Sequence, residues 1–322
     1  MVKTDNTTKA LNLAIKTKDE PVQQASCLVC NSNNQVLVFK NIKDLEYETY
    51  KPVDYFVCKN CGLISQNPLP PQDKISSFYP ASYRNYLPIK NNLFSFLKRL
   101  QFYNLAKKIS RYFPKDPKIL EIGFGNGELL LALKQRGYEN LYGIDFVDKN
   151  FLDLKSEGIK LAAGNVENEI PFSEKFDVII MNNVIEHFLN PKKVLENNKK
   201  NLALDGKIIL ITPNSNALEF LLFKKYWAGF HAPRHTFIFS ERNIRLLAEK
   251  LGFSRIITRS IIDPGQWSIS IQNIFQDINI TKANLKNGMA WYLVLVSIFC
   301  FPLTFLQNIV KKSTSIMCVL EL

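Results

Sequence analysis

A chain of 322 residues, 46% of them hydrophobic, is long enough for one large domain with an ample core and a small second module. Its net charge of +12 favours anionic surroundings such as a membrane face, an acidic acceptor or nucleic acid. The lysines stand as scattered pairs, among them Lys107-Lys108, Lys192-Lys193, Lys199-Lys200 and Lys224-Lys225, so the long basic run of a nucleic-acid arm is excluded.

Residues 1–24 read as a weakly ordered tail with one short helical stretch at Ala10-Leu-Asn-Leu-Ala-Ile. Met1 to Glu20 is polar and lacks the apolar centre of a signal peptide, which makes the expected location cytoplasmic. Of six cysteines, four form Cys27-x-x-Cys30 and Cys58-x-x-Cys61-Gly62, two knuckles whose thiolates can reach one tetrahedral Zn²⁺. Disulfides suit a cytoplasmic chain less well; a redox site and iron are the other readings. Strand-like runs at Gln35 to Lys40 and Tyr55 to Val57 lie between the knuckles, so residues 25–80 are expected to form a zinc ribbon. A closed four-cysteine site leaves no open coordination position, and its metal would be structural.

Pro68, Pro70 and Pro71 mark the passage to the main unit, residues 81–322. Residues 92–113 read as a helix entering it, packed on the core or lying as a lid over the ligand. The run Ile119-Leu-Glu-Ile-Gly-Phe-Gly-Asn-Gly127 then ends an apolar strand in an acid and three alternating glycines, before a helix opens at Glu128. Such a loop lets the backbone approach a ligand, and the helix behind it presents unpaired N–H groups. Leu141-Tyr-Gly-Ile-Asp145 is a second strand whose terminal carboxylate lies 18 residues past Gly127, near the spacing at which such folds grip ribose hydroxyls. Apolar runs at 118–122, 141–145, 176–181 and 207–212 alternate with helix-like segments, which predicts an α/β, Rossmann-like doubly wound parallel sheet with ligands at the strands' carboxyl ends.

The glycine spacing is E-x-G-x-G-x-G, not the G-x-G-x-x-G of dinucleotide sites, and it resembles motif I of the class I S-adenosylmethionine (SAM) dependent methyltransferases. Gly164-Asn-Val-Glu-Asn-Glu-Ile-Pro-Phe, Phe176-Asp-Val-Ile-Ile-Met-Asn-Asn-Val-Ile-Glu-His187 and Leu204-Asp-Gly-Lys-Ile-Ile-Leu-Ile-Thr-Pro-Asn214 continue the resemblance in order, over roughly residues 115–262. It is closest to the branch with ubiquinone-biosynthesis-type and sugar- or lipid-modifying enzymes, and the cysteine module followed by Phe78-Tyr-Pro-Ala-Ser-Tyr83 is similar to the lead-in of many of these. The resemblance implies a seven-stranded fold, SAM as cofactor, and cofactor contacts at Glu121, Gly123, Gly125, Gly127, Asp145, Asn165, Val166 and Asn182. Asn165 stands where an acid is common, which puts adenine recognition on its amide oxygen, on Glu167 or on backbone groups.

All three histidines fall in segments expected at the active-site rim: His187 after Glu186, and His231 and His235 in Trp227-Ala-Gly-Phe-His-Ala-Pro-Arg-His. A hydroxyl acceptor must lose a proton, a task suited to histidine, so His187, His235, Glu186 and His231 are the candidate catalytic residues. His235 or His187 is the expected base and His231 ranks below them; His187 capping the next helix is the structural alternative. Arg234 is read as a partner for an anionic acceptor or as a surface ion pair.

Residues 255–262 and 314–321 look like a sixth and a seventh strand, antiparallel to each other. Between them, in an apolar insertion at about 264–313, Met289 to Val310 carries no charge and is long enough to span a bilayer. A single crossing would strand the last strand on the wrong side, so peripheral membrane contact is the first reading, a buried lid or oligomer surface the second and a true membrane anchor the last. The expected function is methyl transfer from SAM to a hydroxyl of a small or lipid-linked acceptor, sugar or quinone-like. The alternatives are a non-catalytic SAM-binding scaffold and a nicotinamide-dependent oxidoreductase.

Overall fold

Five parallel strands form the body of the central sheet: β4 (Ile119–Ile122), β5 (Leu141–Asp145), β6 (Lys160–Ala163), β7 (Phe176–Asn182) and β8 (Leu202–Pro213). Two more, β10 (Arg255–Ile261) and β11 (Ser315–Glu321), complete the order β10-β11-β8-β7-β4-β5-β6. β11 runs antiparallel to both neighbours, with Val319 opposite Ile257 on one side and Ile209 on the other. This is the doubly wound α/β sheet that the strand pattern predicts, including its antiparallel last strand. The computed structural model describes residues 26–87, 93–146, 151–167, 170–283, 285 and 292–322; the tail expected over 1–24 lies outside the described residues, as does 289–291 of the apolar stretch.

Successive side chains of a strand point to opposite faces, and the sheet is buried on both. Leu120, Ile122, Ile179, Met181, Ile208 and Leu210 pack with α4 (Pro191–Lys200) and α6 (Glu241–Lys250). Ile119, Val178, Ile180 and Ile209 pack on the other face with α1 (Leu93–Ile109) and α2 (Glu128–Gln135). Asn190 caps α4 by accepting the Lys193 N–H, so the capping role weighed for His187 falls to its neighbour three residues on.

The cysteine module forms a second, antiparallel sheet of β1 (Gln35–Ile42), β2 (Val53–Cys58) and β3 (Ile64–Gln66). Its fourth strand, β9 (Phe237–Ile238), comes from the segment after β8, with Ile64 paired to Ile238. The sheet therefore crosses the boundary expected near residue 80. A short ribbon buries too little apolar surface to stand alone; here Cys27, Val29, Cys58, Cys61 and Leu63 join the apolar cluster under the central sheet. Two α6 side chains hold the knuckles from below, Asn243 Nδ2 donating to the Cys61 carbonyl at 2.7 Å and Lys250 Nζ to the Val29 carbonyl at 2.6 Å.

Arg234 ties the loop before β9 to the turn after β1. Its guanidinium is fully buried and donates to both carboxylate oxygens of Asp44, at 2.8 and 3.3 Å, and to the carbonyls of Phe78 and Ala232. It also stacks over the Tyr47 ring at 4.7 Å. Arg234 is thus neither of the things its sequence suggested, an acceptor anchor or a surface pair. Burial alone would raise the Asp44 carboxyl, but the guanidinium and Thr49 outweigh it and hold it below the usual range. The stability tied to this carboxylate is complete above the ordinary Asp value and is lost as pH falls through the depressed one. Asp44→Ala strands a buried cation and should cost about 3–5 kcal/mol, read as a lower denaturant midpoint. A midpoint unchanged from the parent would mean that this turn and the loop before β9 are held by other contacts.

Candidate active site

The carboxyl ends of β4, β5 and β7 open into a cavity of about 1290 Å³. Glu121, Gly123, Gly125, Asp145, Asn165, Val166 and Asn182 all line it, as the strand-end rule requires. Gly127 does not; it sits behind the loop at φ +78°, where an added Cβ would lie 2.5 Å from Leu154 Cδ1. Gly125, at φ +57°, donates its N–H to Asp145 Oδ2 at 2.9 Å, so the carboxylate of the second strand fixes the glycine loop of the first. Glu121 is buried and its Oε2 has no hydrogen-bond partner. Burial, then the charge of Asp145, pushes its carboxyl well above the usual range. A ligand carrying an ammonium group and ribose hydroxyls would satisfy both acids, and the residues present fit SAM on these grounds. Asn165 is occupied locally, its Oδ1 accepting the Glu167 N–H, while Glu167 Oε1 accepts the Leu189 N–H.

The three histidines meet on the far wall of the same cavity. His187 lies in a 3-10 turn after β7; His231 and His235 lie in the loop that leads to β9. Ring centroids are 4.6 Å apart for His187 and His235 and 5.0 Å for His231 and His235. His235 Nδ1 is 2.8 Å from the Gly229 carbonyl, which makes it the protonated nitrogen, and Nε2 faces Glu186 Oε1 at 3.8 Å. His187 Nδ1 meets the Tyr79 hydroxyl at 3.0 Å. Burial pushes His187 down to about 3 and His235 well below its usual range, so both rings stay neutral near pH 7. Glu186, buried with both oxygens unpartnered, is pushed up to about 8 by burial and is neutral too. Glu186 and His235 are therefore a neutral contact and not an ion pair.

His231 differs. Its Nδ1 contacts the Glu46 carboxylate, and its Nε2 lies 3.4 Å from the Tyr83 hydroxyl. Glu46 comes from the turn after β1, and sequence reasoning missed it, as it missed the tyrosine wall. Tyr83 packs edge-on or tilted against Tyr47, Tyr79 and Tyr86 along the cavity, with Tyr79 and Tyr86 also touching Phe146. The spacing Tyr79-x3-Tyr83-x2-Tyr86 was the available signal. Opposite, Leu97 and Leu100 of α1 and Val294, Ile298 and Phe301 of α8 (Tyr292–Ile309) give the cavity an apolar flank.

The four thiols of the ribbon form a compact group, with all Sγ atoms within 4.8 Å of one another. Cys27 and Cys61 are 3.5 Å apart and Cys30 and Cys58 3.4 Å, close to the roughly 3.8 Å edge of a tetrahedral zinc–thiolate site. Each knuckle closes the same way: the Asn31 N–H returns to the Cys27 carbonyl and the Gly62 N–H to the Cys58 carbonyl, both at 2.7 Å, with Asn31 and Gly62 in the left-handed region. The donor set fits zinc.

The model of the family described as "Methyltransferase domain" matches residues 96–257, just over half the chain. The chain belongs to this methyltransferase family. Among relatives, it is 29% identical to an uncharacterized protein of Methanocaldococcus jannaschii over 184 residues, 56% of this chain and 80% of that one. It is 24% identical to the mitochondrial ubiquinone biosynthesis O-methyltransferase of Dictyostelium discoideum over 143 residues, 38% of this chain and 44% of that enzyme's length. Among solved structures, a SAM dependent methyltransferase from Archaeoglobus fulgidus is similar with a TM-score of 0.47 and 13% identity, covering 72% of this chain and all of that one. The methyltransferase is a class I, SAM-dependent enzyme, and its sheet order agrees.

SAM supplies an electrophilic methyl carbon on a sulfonium. The protein's part is to hold acceptor and cofactor in line and keep water out. Asp145→Ala removes both a ligand for ribose and the clamp on Gly125, and should weaken SAM binding about 10- to 100-fold by calorimetry; unchanged affinity would move the ribose elsewhere. The folded chain holds the Glu186 proton up to about 8, whereas the unfolded chain releases it near 4.5. Stability therefore falls as pH rises through that window. In Glu186→Gln this fall should flatten, seen as a midpoint gained at pH about 8 relative to the parent and not at pH about 5. Parallel curves would show an ionised carboxylate.

Proposed function

We propose that this methyltransferase acts on a hydroxyl of an amphiphilic acceptor, lipid-linked or small, of sugar or quinone-like kind. The observation that carries the reading is the cluster of three histidines on the cavity wall, their rings 4.6 to 5.0 Å from the central His235. A neutral imidazole beside the acceptor can take the hydroxyl proton as the oxygen attacks. Glu121, the glycine loop and Asp145 would hold the cofactor at the sheet's edge, and the tyrosines would close the acceptor side against water.

The apolar flank supports the amphiphile. Leu97, Leu100, Ile298 and Phe301 line the cavity and are also exposed at the surface, so a polar head inside would leave an apolar tail along α1 and α8. Outward from these, Phe299 is 80% exposed, and Lys311 and Lys312 follow the helix. In this reading α8 lies on an anionic membrane surface and does not cross it, because the strands before and after it are neighbours in one sheet. The ribbon binds one structural zinc through Cys27, Cys30, Cys58 and Cys61, and the enzyme works at the cytoplasmic side.

Purified protein incubated with methyl-labelled SAM and extract of its own cells should put label into the organic-soluble fraction, and Asp145→Ala should not. Label confined to the small aqueous or macromolecular fraction would leave the methyltransferase standing and sink the lipid-linked acceptor.

A further inference from the structure

We infer that the cysteine module supplies part of the catalytic apparatus: Glu46 is a positioning residue that makes His231, and neither of its two neighbours, the base. The inference rests on the hydroxyl acceptor proposed above.

A histidine acts as a base when one nitrogen faces the substrate unprotonated and the other is held by a group that offsets the imidazolium charge. His231 meets both conditions. Its Nδ1 is against the Glu46 carboxylate, an acceptor only, so Nδ1 carries the proton and Nε2 carries the lone pair. The Tyr83 hydroxyl, 3.4 Å from Nε2, stands on the acceptor side of the cavity, where an incoming hydroxyl would compete for the same lone pair. Glu46 is only 7% exposed, and both it and His231 line the cavity. His235 spends Nδ1 on the Gly229 carbonyl and turns Nε2 to a buried neutral acid. His187 is paired with the Tyr79 phenol, which offers no charge at neutral pH to offset an imidazolium.

The chain invests structure in this pairing. His231 is held at φ +38°, a conformation rare for a side chain with a Cβ. The Asp44–Arg234 pair clamps both sides of the contact, two residues before Glu46 and three after His231. In the transfer, the acceptor O–H bond breaks and its proton goes to His231 Nε2. The oxygen forms a bond to the methyl carbon, and the carbon–sulfur bond breaks with its electron pair kept on sulfur, which leaves as neutral S-adenosylhomocysteine. Glu46 keeps its negative charge throughout and stays hydrogen-bonded to Nδ1.

The test uses the full chain and three readouts: S-adenosylhomocysteine affinity by calorimetry, label transfer to the organic-soluble extract, and ¹⁵N spectra of the three histidines. Glu46→Gln and His231→Gln should each slow transfer by about 30-fold or more, with affinity within about twofold of the parent. Glu46→Asp should recover part of the loss, and Lys43→Ala, an exposed change on the same turn, should transfer like the parent. In the spectra, His231 should be the Nδ1-protonated tautomer and lose that state in Glu46→Ala. Normal transfer by Glu46→Gln, loss of cofactor affinity alongside transfer, or an Nε2-protonated His231 in the parent would each overturn the inference. If the parent itself labels no extract, the hydroxyl reading fails; the tautomer still decides the pairing, because it needs no acceptor.

Discussion

One buried ion pair, Asp44 with Arg234, ties the loop that carries His231 and His235 to the turn that carries Glu46 and Tyr47. Both side chains are almost wholly withdrawn from solvent. Desolvating two such charges costs several kcal/mol per ion, so the pair is poor evidence of stability in itself. What offsets the cost is the number of hydrogen bonds around it, although the buried Arg234 Nε makes none. Asp44 accepts from Arg234, from the Tyr47 and Thr49 N–H groups and from the Thr49 hydroxyl, while the guanidinium adds the Phe78 and Ala232 carbonyls. Three chain segments far apart in sequence are fixed to one planar group. Lysine, with a single ammonium, has no equivalent fork.

That constraint produces a division of labour between the two sheets. The central sheet ends in acids and glycines that line the cavity, an arrangement internal to consecutive strands and turns. The smaller sheet, with β9 woven into it, holds the loop that carries His231 and His235, and with its turn presents Glu46 and Tyr47 to the cavity. Methyl transfer needs acceptor atom, carbon and sulfur in a line, and small displacements of either partner are expensive in rate. A histidine loop tied by a buried fork to the turn after β1 is a way to hold that line. The cysteine knuckles, held to α6 by Asn243 and Lys250, stiffen the same sheet at its opposite end.

The third wall is of a different kind. α7 (Gly265–Asp277) and α8 are inserted between β10 and β11, which pair along their whole length, so the insertion must leave and return on one side of the sheet. Trp267 and Gln307 anchor the two helices to each other through Trp267 Nε1 and Gln307 Oε1 at 3.3 Å, and Gln307 reaches on to Thr314. Leu293, Cys300, Thr304 and Gln307 are buried, while Leu295, Ile298, Phe299, Leu306 and Ile309 face outward. A helix whose polar residues point inward and whose apolar residues point out reverses the order expected in water, and the cavity opens beside it.

The sequence by itself determined the central sheet, the cofactor loop and the metal knuckles. Each is written in short-range terms: continuous apolar runs for strands buried on both faces, glycines where a backbone must turn left-handed, two cysteines three apart with an Asn or Gly behind them. Six of the seven strands, the acids at their ends and the Cys27, Cys30, Cys58, Cys61 set were legible for that reason. Tertiary structure alone decided which residues face the acceptor. Arg234 finds Asp44 across 190 positions, and Glu46 finds His231 across a similar span. Contacts so distant leave no periodicity or spacing behind them. They arise only when β9, two residues long, leaves the main unit to pair with β3 and brings the histidine loop with it.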